Sequence, residues 1–180
     1  MSNNSAGDRD WTWVLDRPCD ECGAAVSTLS REELAGRVRS LGGAWREMLG
    51  RGALVTQPPH GDSRTWSILE YGAHVRDVFD LFEDRIRTML KKRKAPTFKD
   101  WNQDDAASGY ADEDPNKVSY SLASNAGKVA DVLDRVKGDE WSKEGKRSDG
   151  AEFTVESIAR YLIHDVEHHL WDAHQILDGQ

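Results

Sequence analysis

Apolar residues recur at intervals of three and four in four long stretches of the chain, separated by segments rich in glycine, proline and charge. The first stretch opens with Ser30 and Glu33, a pairing in which each side chain satisfies the other's free main-chain amide. Leu34, Val38, Leu41, Trp45 and Leu49 then follow on one helical face, which predicts helix 1 over residues 30–49. Gly50 and Gly52 end it, and Pro58, Pro59, His60 and Gly61 mark a loop. Ser67 with Glu70 repeats the start signal. Leu69, Val75, Val78, Phe79, Phe82, Ile86 and Met89 form the apolar face of a second helix over 67–92. Asp114-Pro115 joins an N-cap acceptor to a residue whose missing N–H costs nothing in a first turn. Val118, Leu122, Ala126, Val129, Val132 and Val136 continue that helix to Gly138. Thr154 caps a fourth, carrying Ile158, Leu162, Val166, Leu170 and Ile176, and a polar loop over 143–150 leads into it.

No stretch alternates convincingly as a strand, so the fold class predicted is all-α, a four-helix bundle. Residues 93–114 lose periodicity but keep Pro96, Trp101 and Tyr110, which predicts a long ordered crossover. Helices of this size are about 30 Å long, and a crossover of that length can run back along the bundle. Helices 2 and 3 then lie parallel, in an up-down-down-up arrangement. Residues 1–29 are expected as a tail and a cysteine-containing arm, mobile up to Trp11 and anchored by Trp11 and Trp13, and residues 30–180 as the bundle.

Charge narrows the range of partners. The chain carries 24 Lys and Arg against 32 Asp and Glu, a net charge of −8 and a pI near 5.2. Phosphate surfaces are repelled on average, which argues against nucleic acid and anionic membrane as partners. No apolar run approaches the roughly 20 residues of a bilayer span, and the first residues lack signal-peptide form, so a cytoplasmic location is expected. The basic run Lys91-Lys92-Arg93-Lys94 reads as favourable charge at the end of helix 2. Arg76, Asp80, Glu83 and Arg87 read as i,i+4 pairing on a wet face. Trp45, Trp66, Trp141 and Trp171 are expected in the core and at the bundle ends, with a pocket wall as the alternative for Trp171.

Six histidines occur, and His164, His168, His169 and His174 fall within the last helix. His164 and His168 are four apart, so their rings lie about 40° apart on one face and can hold one ion side by side. His169 points about 100° away. His74 lies on the apolar side of helix 2, where a third imidazole can approach. Three histidines with open positions are the composition of a catalytic metal site. The competing reading leaves the three unconnected, two on a solvated face and one satisfied in the core.

Cys19 and Cys22 are too few and too close for a disulfide scaffold. Three readings stay open for them: reduced thiols, half of a second zinc site completed by His60, His169 or His174, and a redox dithiol beside the metal pocket.

The stretch Trp66 to His74, read with Tyr161 to His169, resembles the DinB/YfiT-like superfamily. In that family a Trp-Ser-x-x-Glu segment opens helix 2 and delivers one histidine, and H-x-x-x-H on the last helix delivers two more. The resemblance implies His74, His164 and His168 as ligands of Zn²⁺ or Ni²⁺, the up-down-down-up bundle, and a homodimer. It also implies an activity related to the mycothiol- and bacillithiol-dependent S-transferases and the mycothiol-dependent maleylpyruvate isomerase, in which a low-molecular-weight thiol is the co-substrate. Metal-assisted hydrolysis with bound water, and a non-catalytic, stress-associated metal-binding bundle, are the alternatives. No triad, phosphate loop or carboxylate pair names a general acid or base. Asp77, Asp165 and Glu167 are near enough in sequence to orient the ligand rings.

Overall fold

The computed structural model describes residues 10–59 and 65–179. The expected mobile tail before Trp11 and the loop at His60 and Gly61 therefore lie largely outside the described residues. Five helices, α1 (Arg31–Leu49), α2 (Ile68–Lys91), α3 (Gln103–Ala107), α4 (Pro115–Leu133) and α5 (Val155–Asp178), and a two-stranded sheet make up the main elements. The four long helices start where side-chain capping predicts. Glu33 accepts from Ser30 N at 2.8 Å and Glu70 from Ser67 N at 2.8 Å. Asp114 Oδ1 accepts from Asn116 N at 2.8 Å, ahead of Pro115, and Thr154 Oγ1 from Ser157 N at 3.1 Å. Each satisfies amides that a helix start leaves without partners.

The long-range contacts fix the directions. Arg31 at the start of α1 pairs with Glu156 at the start of α5, so these two helices run together. Leu49 at the end of α1 lies where a side chain on Gly72, early in α2, would meet it, so α2 returns. The crossover leaves α2 beside Met89, where Phe98 packs, and comes back to its first turns, where Tyr110 Oη donates to Asp77 at 2.6 Å and Glu113 pairs with Arg76. Helix α4 begins there and runs alongside α2, with Asn125 donating to the Arg76 carbonyl at 3.3 Å. The result is the up-down-down-up bundle, with α1, α4, α2 and α5 adjacent in that cyclic order. Trp45, Phe79, Met89, Leu122 and Leu162 fill its centre.

Two expectations are corrected. The loop over 143–150 contains a hairpin arm: β1 (Glu144–Lys146) and β2 (Glu152–Thr154) pair antiparallel, with Gly145 opposite Phe153. Strands of three residues are too short to show alternation, and this one is recruited by tertiary contact. Phe98 N donates to Lys146 O and Lys146 N to Pro96 O, both at 2.8 Å. Gly145 is required there, because a Cβ would stand 2.5 Å from Phe98 Cζ. The second correction concerns Arg76. It leaves the wet face and clasps Asp77 and Glu113, while Arg87 and Glu83 do form the expected i,i+4 pair at 2.7 Å. No helix among the described residues is long and apolar enough to cross a membrane.

Candidate metal centre

A cavity of about 650 Å³ opens between α2 and α5. On α2, His74, Val78, Phe82 and Arg85 line it at spacings of four, four and three, one face of a helix. Tyr161, Asp165, His169 and Asp172 of α5 line the opposite side at the same kind of spacing. Trp101 of the crossover stacks on His74, with ring centroids 5.4 Å apart, and Trp66 packs 5.3 Å away on another side. His74 reaches the last helix at His169, where the two rings are 4.8 Å apart and nearly perpendicular.

The structure groups the histidines differently from the spacing argument. His74, Asp165 and His169 each bring a donor atom within 4.8 Å of the others. His164 and His168 instead face the N-terminal arm, where their donor atoms and the sulfurs of Cys19 and Cys22 also fall within 4.8 Å of one another. His74, His164 and His168 do not form one such set among the described residues. The segment His164-Asp165-Val166-Glu167-His168-His169 holds two interleaved i,i+4 pairs, 164/168 and 165/169, rotated by about 100°. The second pair faces α2.

Electrostatics separate the groups further. His74 is 2% exposed, and burial, with the neighbouring His169, pushes its pKa down to about 4. Its Nδ1 is buried without a hydrogen-bond partner. Burial by itself would lower His169 too, but Asp165 and Asp172 override it and raise His169 to about 9. Asp165 Oδ1 lies 3.5 Å from His169 Nε2, and Asp172 Oδ2 lies 3.1 Å from His169 Nδ1. Burial opposes ionisation of Asp165, yet the bond to His169 holds it down near 2. An imidazolium between two carboxylates thus occupies a place where a cation is favoured.

This donor set fits a divalent metal. Two imidazoles and one carboxylate are ordinary ligands of a three-ligand site with open positions. The unpartnered His74 nitrogen is a buried donor left without the bond it needs. Asp172 orients His169 through its other nitrogen, as ligand histidines are usually oriented. Of the carboxylates expected to orient ligands, Asp165 is in the donor set, Asp77 holds Tyr110 and Arg76, and Glu167 pairs with Arg37. Asp172 was not singled out by sequence reasoning; its signal is the i,i+3 spacing from His169. Trp171 packs 5.6 Å from His168, outside the cavity lining.

At the far end of the cavity, Arg85 follows His74 by about 16 Å along the helix axis. Its Nε is buried and unpartnered, and burial together with the like charge of Arg147 lowers its pKa. Arg147 is held by Asp149 at 2.6 Å.

A family model described as the DinB superfamily matches residues 44–173. Among solved structures, YfiT from Bacillus subtilis, described as a probable metal-dependent hydrolase with an unusual four-helix bundle topology, superposes with a TM-score of 0.71 at 12% identity. The match covers 85% of this chain and 92% of that one. The mycothiol-dependent maleylpyruvate isomerase gives a TM-score of 0.67 at 13% identity, over 82% of this chain and 62% of that one. At such identities these likenesses concern the fold. No curated protein matches the chain.

Proposed function

The chain belongs to the DinB superfamily, and from that premise we propose that it is a metal-dependent enzyme of the S-transferase type, acting on a low-molecular-weight thiol and a small electrophile. The observation that carries this reading is the His74, Asp165 and His169 donor set opening onto a cavity whose far end presents Arg85. A Zn²⁺-like or Ni²⁺-like ion held by these three residues supplies positive charge that makes a bound thiol or water acidic near neutral pH.

The chain's own residues supply the rest. Asp172 fixes the His169 ring by accepting from Nδ1. Trp66 and Trp101 cover His74 and keep water from its ring. Tyr71, whose pKa burial pushes up to about 12, keeps its proton beside His169. Arg85, with a guanidinium nitrogen lacking a partner, is positioned to bind an anionic group of an extended thiol or of its acceptor. The mycothiol dependence of the isomerase with the same fold supports a thiol co-substrate.

The test is thiol consumption by the metal-loaded chain with a panel of thiols and electrophiles. His169→Ala and Asp165→Asn lose the metal of this site and thiol transfer together, and Arg85→Gln raises KM for carboxylate-bearing partners while leaving metal content alone. Full transfer activity in metal-free His169→Ala would overturn the reading. The description of YfiT supports a second reading, hydrolysis by bound water. Product formed equally with and without thiol identifies it.

A further inference from the structure

We infer that Cys19, Cys22, His164 and His168 form a second, closed metal site, a structural Cys₂His₂ zinc centre that fastens the N-terminal arm to α5. Its four donor atoms lie within 4.8 Å of one another, and Cys19 Sγ is already 3.8 Å from His168 Nδ1. Tetrahedral zinc, with bonds of about 2.3 Å to sulfur and about 2.0 Å to nitrogen, sets its ligand atoms roughly 3.3–3.8 Å apart. Closing the cluster therefore takes a contraction, without any refolding of the arm.

Three features distinguish this cluster from a chance meeting of side chains. The Cys19–Cys22 turn is shaped as a chelating loop. Cys19 N donates to Ala24 O and Gly23 N to Cys19 O, both at 2.9 Å, and Gly23 takes φ +76°, which favours glycine. Secondly, His164 is 3% exposed and its Nε2 has no hydrogen-bond partner. An unpaired imidazole nitrogen at that depth is costly unless something binds it. Thirdly, His168 directs Nδ1 at Cys19 while its Nε2 lies 3.7 Å from Glu21 and 4.0 Å from Asp172. A carboxylate behind the ring is the usual support of a ligand histidine.

The donor chemistry selects the ion and the role. Two thiolates cancel the charge of Zn²⁺, so the complete set is neutral and suited to a place where three of its four members are buried. Four protein ligands leave no open position, in contrast to the neighbouring three-donor set, which shares the cavity with His164 and His168. His168 and His169, adjacent in sequence with rings 6.1 Å apart, thus serve different centres. Because Trp11 and Glu21 of the arm line the cavity, the zinc clamp makes the arm a wall of the pocket.

The proposal is independent of the enzymatic reading, and one experiment separates them. The reduced, metal-stripped full chain is titrated anaerobically with Co²⁺, then Zn²⁺. The expected result is two bound equivalents, one of which shows a thiolate-to-cobalt charge-transfer band with tetrahedral visible absorption. The Cys19→Ser/Cys22→Ser double variant loses that band and one equivalent and keeps the other, whereas His169→Ala keeps the band. Zinc also protects both cysteines of the wild-type chain from alkylation, which decides the matter even if the double variant fails to fold. Absence of the band in the wild type, alkylation unaffected by zinc, or a reduced chain that takes up metal only at the His74 set would overturn the proposal.

Discussion

His169 donates from Nδ1 to Asp172 Oδ2 at 3.1 Å, and the same carboxylate oxygen stands 4.0 Å from His168 Nε2. One side chain therefore backs a ring in each of the two donor clusters. Asp172→Asn keeps the shape and removes the charge. The loss of such a support lowers metal affinity by about 10–100-fold. We expect a drop of that size at the His74, Asp165 and His169 set, measured by competition with a chromophoric chelator. Unchanged affinity would show that the ring is oriented by packing alone.

The histidines give the metal-free chain opposing pH dependences. His74 and His164 are depressed from 6.5 to about 4, mainly by burial. Their contribution is present above 6.5 and is lost as pH falls through 4, because the unfolded chain binds the protons first. His169 runs the other way. Its folded value is about 9, so its contribution is complete below 6.5 and is lost as pH rises through 9. Urea midpoints of the metal-free chain are expected to be highest near pH 6.5. His169→Gln removes the alkaline decline and leaves the acid one. A wild-type midpoint that stays level from 6.5 down to 4 would contradict the assignment.

The helix starts were legible in the sequence because capping is local: Ser30, Ser67, Asp114 and Thr154 need only the next three residues to act. The parallel α2 and α4 were legible from the length of the crossover. The choice between the 164/168 and 165/169 pairs was not, since both have i,i+4 spacing and only the rotation of α5 against α2 decides which one meets His74. The partners of Cys19 were illegible for a similar reason. His168 lies 149 residues away, and nothing local in the arm encodes where it docks. The hairpin was hidden because Lys146 pairs with Pro96 and Phe98 across the chain.

Tyr110 is 2% exposed and its hydroxyl donates to Asp77 at 2.6 Å, tying the crossover to the turn of α2 that follows His74. Hydrogen bonds to charged groups contribute about 1.5–3 kcal/mol. Tyr110→Phe is expected to cost that much in urea unfolding at neutral pH, while metal stoichiometry stays as in the wild type. A loss of metal with no loss of stability would instead place the hydroxyl in the site.

Two neighbouring glycines of α1 should respond to the same substitution with opposite sign. A Cβ on Gly42 would stand 2.7 Å from Ala126 Cβ, which is fixed directly to the backbone of α4, so the two helices must part. Overpacking of this kind costs about 1–3 kcal/mol, against at most about 1 kcal/mol regained from helix propensity. Gly43 is exposed and a Cβ there meets nothing within 4 Å. Gly43→Ala therefore gains the propensity alone, about 0.5–1 kcal/mol. Thermal or urea unfolding of the pair should show Gly42→Ala below the wild type and Gly43→Ala above it. Equal shifts would mean that α1 and α4 do not approach as closely at Gly42 and Ala126 as the bundle geometry requires.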